Sequence, residues 1–122
     1  MNEDKKVNDI RTFTFPLVTA DKEYEVYLPK GVKFFTLHVR DGTAIRMSHL
    51  QGRVSGSEEP YFTLKANTSW DEQNVDVNRN IRWYVACGSA SKVVEVIAGV
   101  YDPALEPEEE QVEKNDSKNR KS

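Results

Sequence analysis

The two histidines are the side chains of this sequence best suited to acid–base or metal chemistry, and they flank the dipeptide Asp41-Gly42. Asp-Gly favours a two-residue type I′ turn, so the sequence predicts a β-hairpin with His38 on one strand and His49 on the other. In a regular hairpin His38 would face Ile45, and His49 would lie about four residues farther along the ladder. Imidazoles that far apart cannot share a metal ion. We therefore predict two surface histidines that are solvated or hydrogen-bonded, and neither a metal nor a cofactor.

Carboxylates and nucleophiles likewise form no catalytic pattern in the sequence. The acids Glu58-Glu59 and Asp71-Glu72 are chain neighbours whose side chains usually point apart, whereas the two acids of a glycosidase converge across a cleft. Glu95 lies on the face opposite its valine neighbours, where an outward charge discourages edge pairing. The single cysteine, Cys87, has no histidine nearby in the sequence to generate a thiolate, and it is expected to fill the core. We predict a protein that is not an enzyme.

Four aromatic residues are the candidates for a binding surface: Tyr61, Trp70, Tyr84 and Tyr101. Aromatic rings on a β-sandwich can stack against sugars, or they can pack in the core or in a subunit contact. Only Trp70 falls in a predicted loop, so packing is the favoured interpretation for the others. A glycan remains the alternative partner.

These side chains must be positioned by β-strands, because apolar and polar residues alternate through residues 12–102 and β-branched and aromatic types are frequent there. The clearest strands are residues 81–87 and 92–101. No stretch keeps a helical period, which argues against crossover helices and a parallel sheet. About seven or eight short strands at intervals of about ten residues predict an all-β fold. We expect a single antiparallel β-sandwich, jelly-roll or immunoglobulin-like, with extended terminal arms.

Local signals refine this outline. Pro16 cannot donate to a central ladder and predicts an edge strand or a strand end. Gly31 ends a Pro-Lys-Gly turn and is expected to take a positive φ. Residues 67–74 are polar apart from Trp70 and predict a loop, whereas residues 75–77 predict a short strand.

Length, charge and composition predict one domain with two arms. The chain has 122 residues, a net charge of −3 and a pI near 5.4, which argues against nucleic acid as a partner. It has no apolar run of about 18 residues and begins with a polar segment, so neither a membrane span nor a secretory signal is expected. We assign residues 1–11 to an N-terminal arm, 12–102 to the β-sandwich domain and 103–122 to a charged C-terminal tail.

The tail carries its acidic residues first and its basic residues last, with few aliphatic side chains between them. Such a segment buries too little apolar area to order itself alone, but a segment of this kind can fold against a partner. Leu105 and Val112 are its candidate contacts. The arms therefore favour a protein that assembles with neighbours.

Residues 61–67 and 80–96 resemble the closing strands of small β-sandwich virion proteins of tailed bacteriophages, in which a strand ending in a small-residue turn leads into a final strand rich in Val-Val-Glu. The resemblance covers about residues 32–101 and has no counterpart for residues 103–122. It implies a non-enzymatic structural protein, a capsid decoration or cement protein or another head or tail component. Such proteins are commonly homo-oligomeric, bind the major capsid protein or another virion protein, and reside in the virion after assembly in the host cytoplasm.

Two other function classes compete with this interpretation. A carbohydrate- or receptor-binding module of a tail or fibre would use Trp70 and Tyr61 as a stacking surface. A cupin-like enzyme would need clustered histidine and carboxylate ligands, which two distant histidines do not supply. Glycan binding that is lost in Trp70→Ala would favour the first alternative, whereas co-purification with intact particles would favour the cement protein.

Overall fold

The computed structural model describes residues 6–106, which form eight β-strands and a short 3₁₀ helix. The elements are β1 (Asp9–Leu17), β2 (Tyr24–Leu28), β3 (Val32–Val39), β4 (Ile45–Ser48), β5 (Phe62–Leu64), β6 (Ser69–Glu72), β7 (Ile81–Ala86), β8 (Lys92–Val100) and the 3₁₀ helix Pro103–Leu105. Within residues 6–106 no helix has the length and apolar character needed to cross a membrane. The predicted arm contact Leu105 is 49% exposed, and Val112 lies outside the described residues.

The strands form two four-stranded antiparallel sheets, which confirms the predicted all-β sandwich. Sheet A has the order β1-β8-β3-β6 and sheet B the order β2-β7-β4-β5. The antiparallel pairs are nested in the sequence: β1 pairs with β8, β2 with β7, β3 with β6 and β4 with β5. The chain thus resembles one long folded hairpin whose successive strand pairs belong alternately to sheet A and sheet B. This is jelly-roll topology. Of the two architectures that the sequence leaves open, the strand order therefore selects the jelly roll.

The core lies between the inner faces of the two sheets, and alternation along the strands builds it. Leu37 and Val96 in sheet A and Val26 and Val85 in sheet B are each at most 2% exposed. Burying an aliphatic side chain of this size stabilises the fold by about 1.5–3 kcal/mol. Cys87 is 1% exposed, which confirms the prediction that it fills the core.

The hairpin predicted at Asp41-Gly42 is wrong, because β3 and β4 belong to different sheets. A type I′ turn needs a positive φ at both central residues, and of these two only Gly42 has one, at +82°. Asp41 Oδ1 instead accepts hydrogen bonds from the backbone N–H of Thr43 at 3.1 Å and from its hydroxyl at 2.7 Å. The turn thus carries the chain from one sheet to the other, and His38 faces Glu95 across the ladder, not Ile45.

Residues 67–77 also differ from their prediction. The predicted loop contains β6, which pairs with β3 so that Trp70 lies opposite Leu37. The strand is hard to find from sequence because Trp70 is its one apolar residue. The strand predicted over residues 75–77 is absent, and Val75 N–H donates instead to the backbone oxygen of Lys33 at 2.8 Å.

At the N-terminal boundary, β1 begins at Asp9, so residues 9–11 belong to the sandwich and not to the predicted arm. Arg11 forms salt bridges of 2.7 Å with both Asp9 and Asp102, which join the start of β1 to the end of the domain. Asp9 and Arg11 are charged residues on the same face of β1, so this part of the strand lacks the alternation of apolar and polar residues from which strands are predicted. The prediction that Pro16 lies in an edge strand is confirmed, since β1 is the outer strand of sheet A.

Candidate functional site

A groove of about 830 Å³ opens at one end of the sandwich, between the inner faces of the two sheets. Its side is formed by the edge strands β5 and β6, and residues 73–80 contribute to its rim. Five aromatic residues line it: Phe35, Tyr61, Phe62, Trp70 and Trp83. Its polar lining residues are Ser48, His49, Glu72, Gln73, Asn74, Asp76, Arg79, Asn80 and Arg82. This volume and this mixture of aromatic and polar groups are typical of small-molecule binding sites.

Trp70 and Phe62 close one side of the groove by meeting across the gap between the sheets. In the strand registers Trp70 lies opposite Leu37 and Phe62 lies opposite Met47, so both rings belong to inner faces. The ring centroids are 5.3 Å apart with an interplanar angle of 73°, the edge-to-face arrangement that aromatic quadrupoles favour. Phe62 is nevertheless 50% exposed, because β5 is an edge strand beside the opening.

Trp83 connects the groove to the core. Its ring stacks on Phe35 across the sandwich, with centroids 5.6 Å apart and an interplanar angle of 25°. Phe35 is only 2% exposed, so the pair has one ring in the core and one in the groove wall. The indole Nε1 of Trp83 is buried and has no hydrogen-bond acceptor within residues 6–106. Buried indole N–H groups usually have a partner, so this wall contains an unsatisfied donor.

One carboxylate belongs to the inner wall, and amides follow it at the rim. Glu72 is partly buried and lies opposite Phe35 in the register of β3 and β6, which places its side chain on the inner face. Gln73 and Asn74 come next and are exposed, and Asn74 has a left-handed φ of +56°. A carboxylate supplies only acceptors, whereas each amide supplies both donors and acceptors. This combination can bind hydroxyl groups.

The structure brings two of the four predicted aromatic residues together, because Tyr61 and Trp70 both line the groove. Tyr84 lies on the outer face of β7, between inner-facing Trp83 and Val85, and Tyr101 follows β8. Neither Tyr84 nor Tyr101 is a lining residue. The predicted surface therefore divides into one pair inside the groove and two separate rings elsewhere.

Sequence reasoning missed Trp83 and Glu72 as site residues. The alternation of Trp83 with Arg82 and Tyr84 correctly marks an inward side chain, but it does not distinguish an open end of the sandwich from a closed core. Glu72 could be found only by recognising β6, because its inward direction follows from pairing with β3.

The two histidines lie on different surfaces of the sandwich. His49 is exposed at the groove, whereas His38 lies on the outer face of sheet A with Nε2 2.8 Å from Oε1 of Glu95. Within residues 6–106 no three His, Cys, Asp or Glu side chains are grouped so that they could hold a metal ion.

A second surface, the outer face of sheet A, carries two uncharged rows across its three longer strands. In the first row the ring of Phe34 covers Gly99, which lies opposite Ile10. In the second row Ile97 lies between Thr12 and Thr36. Ile10 is 55% exposed and Ile97 is 51% exposed. Apolar side chains of the edge strand β1 and the inner strand β8 thus remain exposed to water on this face, and we call these two rows the outer stripe.

A charged cluster borders the outer stripe. Glu95 Oε2 accepts a hydrogen bond from Arg40 Nε at 2.6 Å, and its other oxygen contacts His38. The guanidinium and the imidazole hold the pKa of Glu95 below its usual range. Glu95 faces outward as predicted, but the predicted role in discouraging edge pairing is wrong, because β8 lies between β1 and β3. Its carboxylate pairs with Arg40 instead.

Two further carboxyl groups have depressed pKa values. Lys92 Nζ lies 2.7 Å from Asp41 Oδ2, and this contact together with the hydrogen bonds from Thr43 holds the pKa of Asp41 well below its usual range. The pKa of Asp102 is lowered by its hydrogen bond from Arg11 and by the backbone N–H of Ala104. These ion pairs join the ends of strands that are distant in the sequence.

The depressed carboxyl pKa values predict that the fold loses stability in acid. The unfolded chain binds more protons than the folded chain near pH 3–4, so the free energy of unfolding falls as the pH drops below about 5. Urea midpoints measured between pH 7 and pH 3 check this. Asp41→Asn removes the titrating carboxyl and should flatten the pH profile, whereas Lys92→Met leaves the Thr43 hydrogen bonds to Asp41 in place and should flatten it less. A profile unchanged in both variants would contradict the assignment to Asp41.

Comparisons with known proteins add one structural likeness. No protein-family model matches the chain, and no curated protein matches it. A solved structure, the solution NMR structure of a de novo designed double-stranded beta-helix, aligns with 75% of this chain and 97% of its own, at 14% identity and a TM-score of 0.42.

Proposed function

We propose that the protein is a non-enzymatic structural subunit of a bacteriophage virion, a capsid decoration or cement protein that binds a neighbouring copy of itself through the outer stripe. The observation that carries the proposal is the exposure of Ile10 and Ile97 in the outer stripe. The resemblance of residues 32–101 to phage virion sandwiches supports it, and so does the jelly roll, an architecture found in viral capsid proteins as well as in lectins and cupins.

The outer face of sheet A has suitable dimensions for a subunit contact. β1 and β8 have nine residues each, which corresponds to a length of about 30 Å, and four strands are about 19 Å wide. Because β3 has eight residues and β6 has four, the face covers about 480 Å², compared with about 800 Å² per partner in a standard interface. Side chains that project from the sheet and loops at its margin would supply the remainder.

The apolar rows of this face resemble part of an interface. Ile97 lies on the inner strand β8, and Ile10 and Phe34 lie in the next row toward one end of the sheet. Glu95, with Arg40 and His38, borders Ile97 on the other side. Interfaces commonly have an apolar, charge-depleted centre and a polar rim. On a symmetric shell the same contact is repeated many times, so a modest affinity per copy can stabilise the whole particle. The major capsid protein would be the second partner.

The Ile97→Lys variant is expected to lose self-association. A lysine there would place a charge at the centre of the contact, which would weaken association by at least about tenfold. Sedimentation velocity over a concentration series measures the effect. Leu50→Lys is the matched control, since Leu50 is a 37% exposed aliphatic residue that lies beyond β4, and it should associate as the wild type does.

The virion assignment has its own test. Immunogold electron microscopy of purified phage particles with an antibody against this chain should show labels at regular positions on the shell. A monomeric wild-type chain whose sedimentation is unaffected by Ile97→Lys would contradict the interface, and unlabelled intact particles would contradict the location.

A further inference from the structure

We infer that the groove at the open end of the jelly roll binds a short, uncharged oligosaccharide. This site is separate from the outer stripe and does not depend on the virion proposal. The observation that carries it is the convergence of Trp70, Trp83 and Glu72 from both sheets on one groove of about 830 Å³.

The aromatic walls fit the apolar face of a sugar ring. Trp70 belongs to the inner face of sheet A, and Trp83 belongs to the inner face of sheet B. Each is held by another ring, Trp70 by Phe62 and Trp83 by Phe35. Rings fixed in this way lose little conformational entropy on binding, and they offer flat surfaces to the C–H groups of a pyranose.

The polar groups fit the hydroxyls of the same ligand. Glu72 lies on the inner face beside the aromatic wall, and Gln73 and Asn74 follow directly at the rim. A sugar hydroxyl both donates and accepts, so a carboxylate beside amides can satisfy neighbouring hydroxyls. A purely apolar ligand would leave the Glu72 carboxylate desolvated without a partner, which is unfavourable.

The charge of the groove favours a neutral ligand over an anionic one. Among its lining residues Glu72 and Asp76 are acidic, and Arg79 is basic. Arg82 also borders the groove, but its guanidinium pairs with Glu25. Nucleotides and acidic sugars would meet a carboxylate on the inner wall without a matching excess of positive charge.

The position of the tryptophans provides a direct assay. The chain contains two tryptophans, Trp70 and Trp83, and both line the groove. Any ligand that enters should therefore alter the intrinsic tryptophan emission. The full chain would first be applied to an array of neutral and acidic glycans, and the strongest neutral glycan would then be titrated while the emission is followed.

The variants separate binding from folding. Trp70→Ala should raise the Kd by about tenfold or more, because it removes a stacking surface. Glu72→Gln keeps the shape of the side chain but replaces a charged acceptor, and it should raise the Kd about fivefold. Tyr84→Ala removes a ring on the opposite face of β7 and should bind as the wild type does. Circular dichroism establishes whether each variant is folded. If Trp70→Ala does not fold, the Kd of Glu72→Gln alone tests the inference.

Three results would overturn the inference. The first is an array on which no neutral glycan binds. The second is binding restricted to acidic glycans, which would contradict the charge argument. The third is a Kd that is the same in folded Glu72→Gln and Trp70→Ala as in the wild type, which would place the ligand outside the groove.

Discussion

Replacing Gly31 by alanine is expected to lower the free energy of unfolding by about 2–4 kcal/mol. Gly31 is buried in the turn between β2 and β3 and has a φ of +108°, as the Pro-Lys-Gly signal predicts. A side chain there would be strained by the backbone conformation, and its Cβ would lie 2.8 Å from the backbone oxygen of Tyr101. That oxygen belongs to the backbone, so it cannot rotate away.

The same residue joins three parts of the chain. Gly31 N–H donates to the oxygen of Val77 at 2.8 Å, and Gly31 O accepts from Tyr101 N–H at 2.7 Å. Relief of the steric overlap must therefore weaken at least one of these hydrogen bonds. Thermal and urea unfolding should show a fall in Tm of at least about 8 °C.

Gly88→Ala is the matched control for this variant. Gly88 is exposed, it has no positive φ, and a Cβ there would have no atom within 4 Å. The substitution should change the free energy of unfolding by no more than about 0.5 kcal/mol. Equal stability of the two variants would show that the turn can rearrange without cost.

The sequence predicts the strands best where alternation involves several apolar residues. β3 and β8 each bury several aliphatic side chains on one face, and β7 directs Ile81, Trp83 and Val85 toward the core. All three strands appear close to their predicted positions. β6 has one apolar residue, Trp70, and lies at a sheet edge, where only one ladder and one buried face constrain it. A period of two cannot be recognised from a single apolar position.

The pairing of the strands could not be derived from local signals. Asp41-Gly42 is a strong hairpin pattern, yet the chain uses it to cross between sheets. The nested order pairs β1 with β8, so partners lie about as far apart in the sequence as the domain allows. Such contacts depend on burial across the whole sandwich, since a turn determines only the residues beside it.

The candidate site could be predicted only in part, because it too depends on how distant strands pair. Tyr61 and Trp70 were recognisable as aromatic residues near predicted loops, but their proximity depends on two edge strands that close one side of the sandwich. Trp83 required knowledge of which end remains open. Glu72 required the register of β6 against β3. Composition identifies side chains that can bind, whereas topology decides which of them meet.

Phe35→Ala is expected to have the largest effect on both stability and the groove, because Phe35 belongs to the core and also supports Trp83. The ring is 2% exposed and stacks on Trp83 at 5.6 Å. Its removal leaves a cavity between the two sheets and should lower the free energy of unfolding by about 3–5 kcal/mol. Phe35→Leu keeps most of the apolar volume and should cost less than about 1.5 kcal/mol.

Phe34→Ala provides the closest control, since Phe34 is the same residue type at the adjacent position of β3. Its ring is only partly buried and lies on Gly99 at the outer face, so its loss should cost about 1 kcal/mol. Urea unfolding measures the stability of each variant, and the tryptophan emission of the folded state measures changes around Trp83 in the wall of the groove. Because Trp83 loses its stacking partner only in the Phe35 variants, its emission should change in those and not in Phe34→Ala. Equal destabilisation by Phe34→Ala and Phe35→Ala would mean that β3 does not direct alternate side chains to the core and to solvent. That result would also contradict the placement of Phe35 behind Trp83 in the wall of the groove.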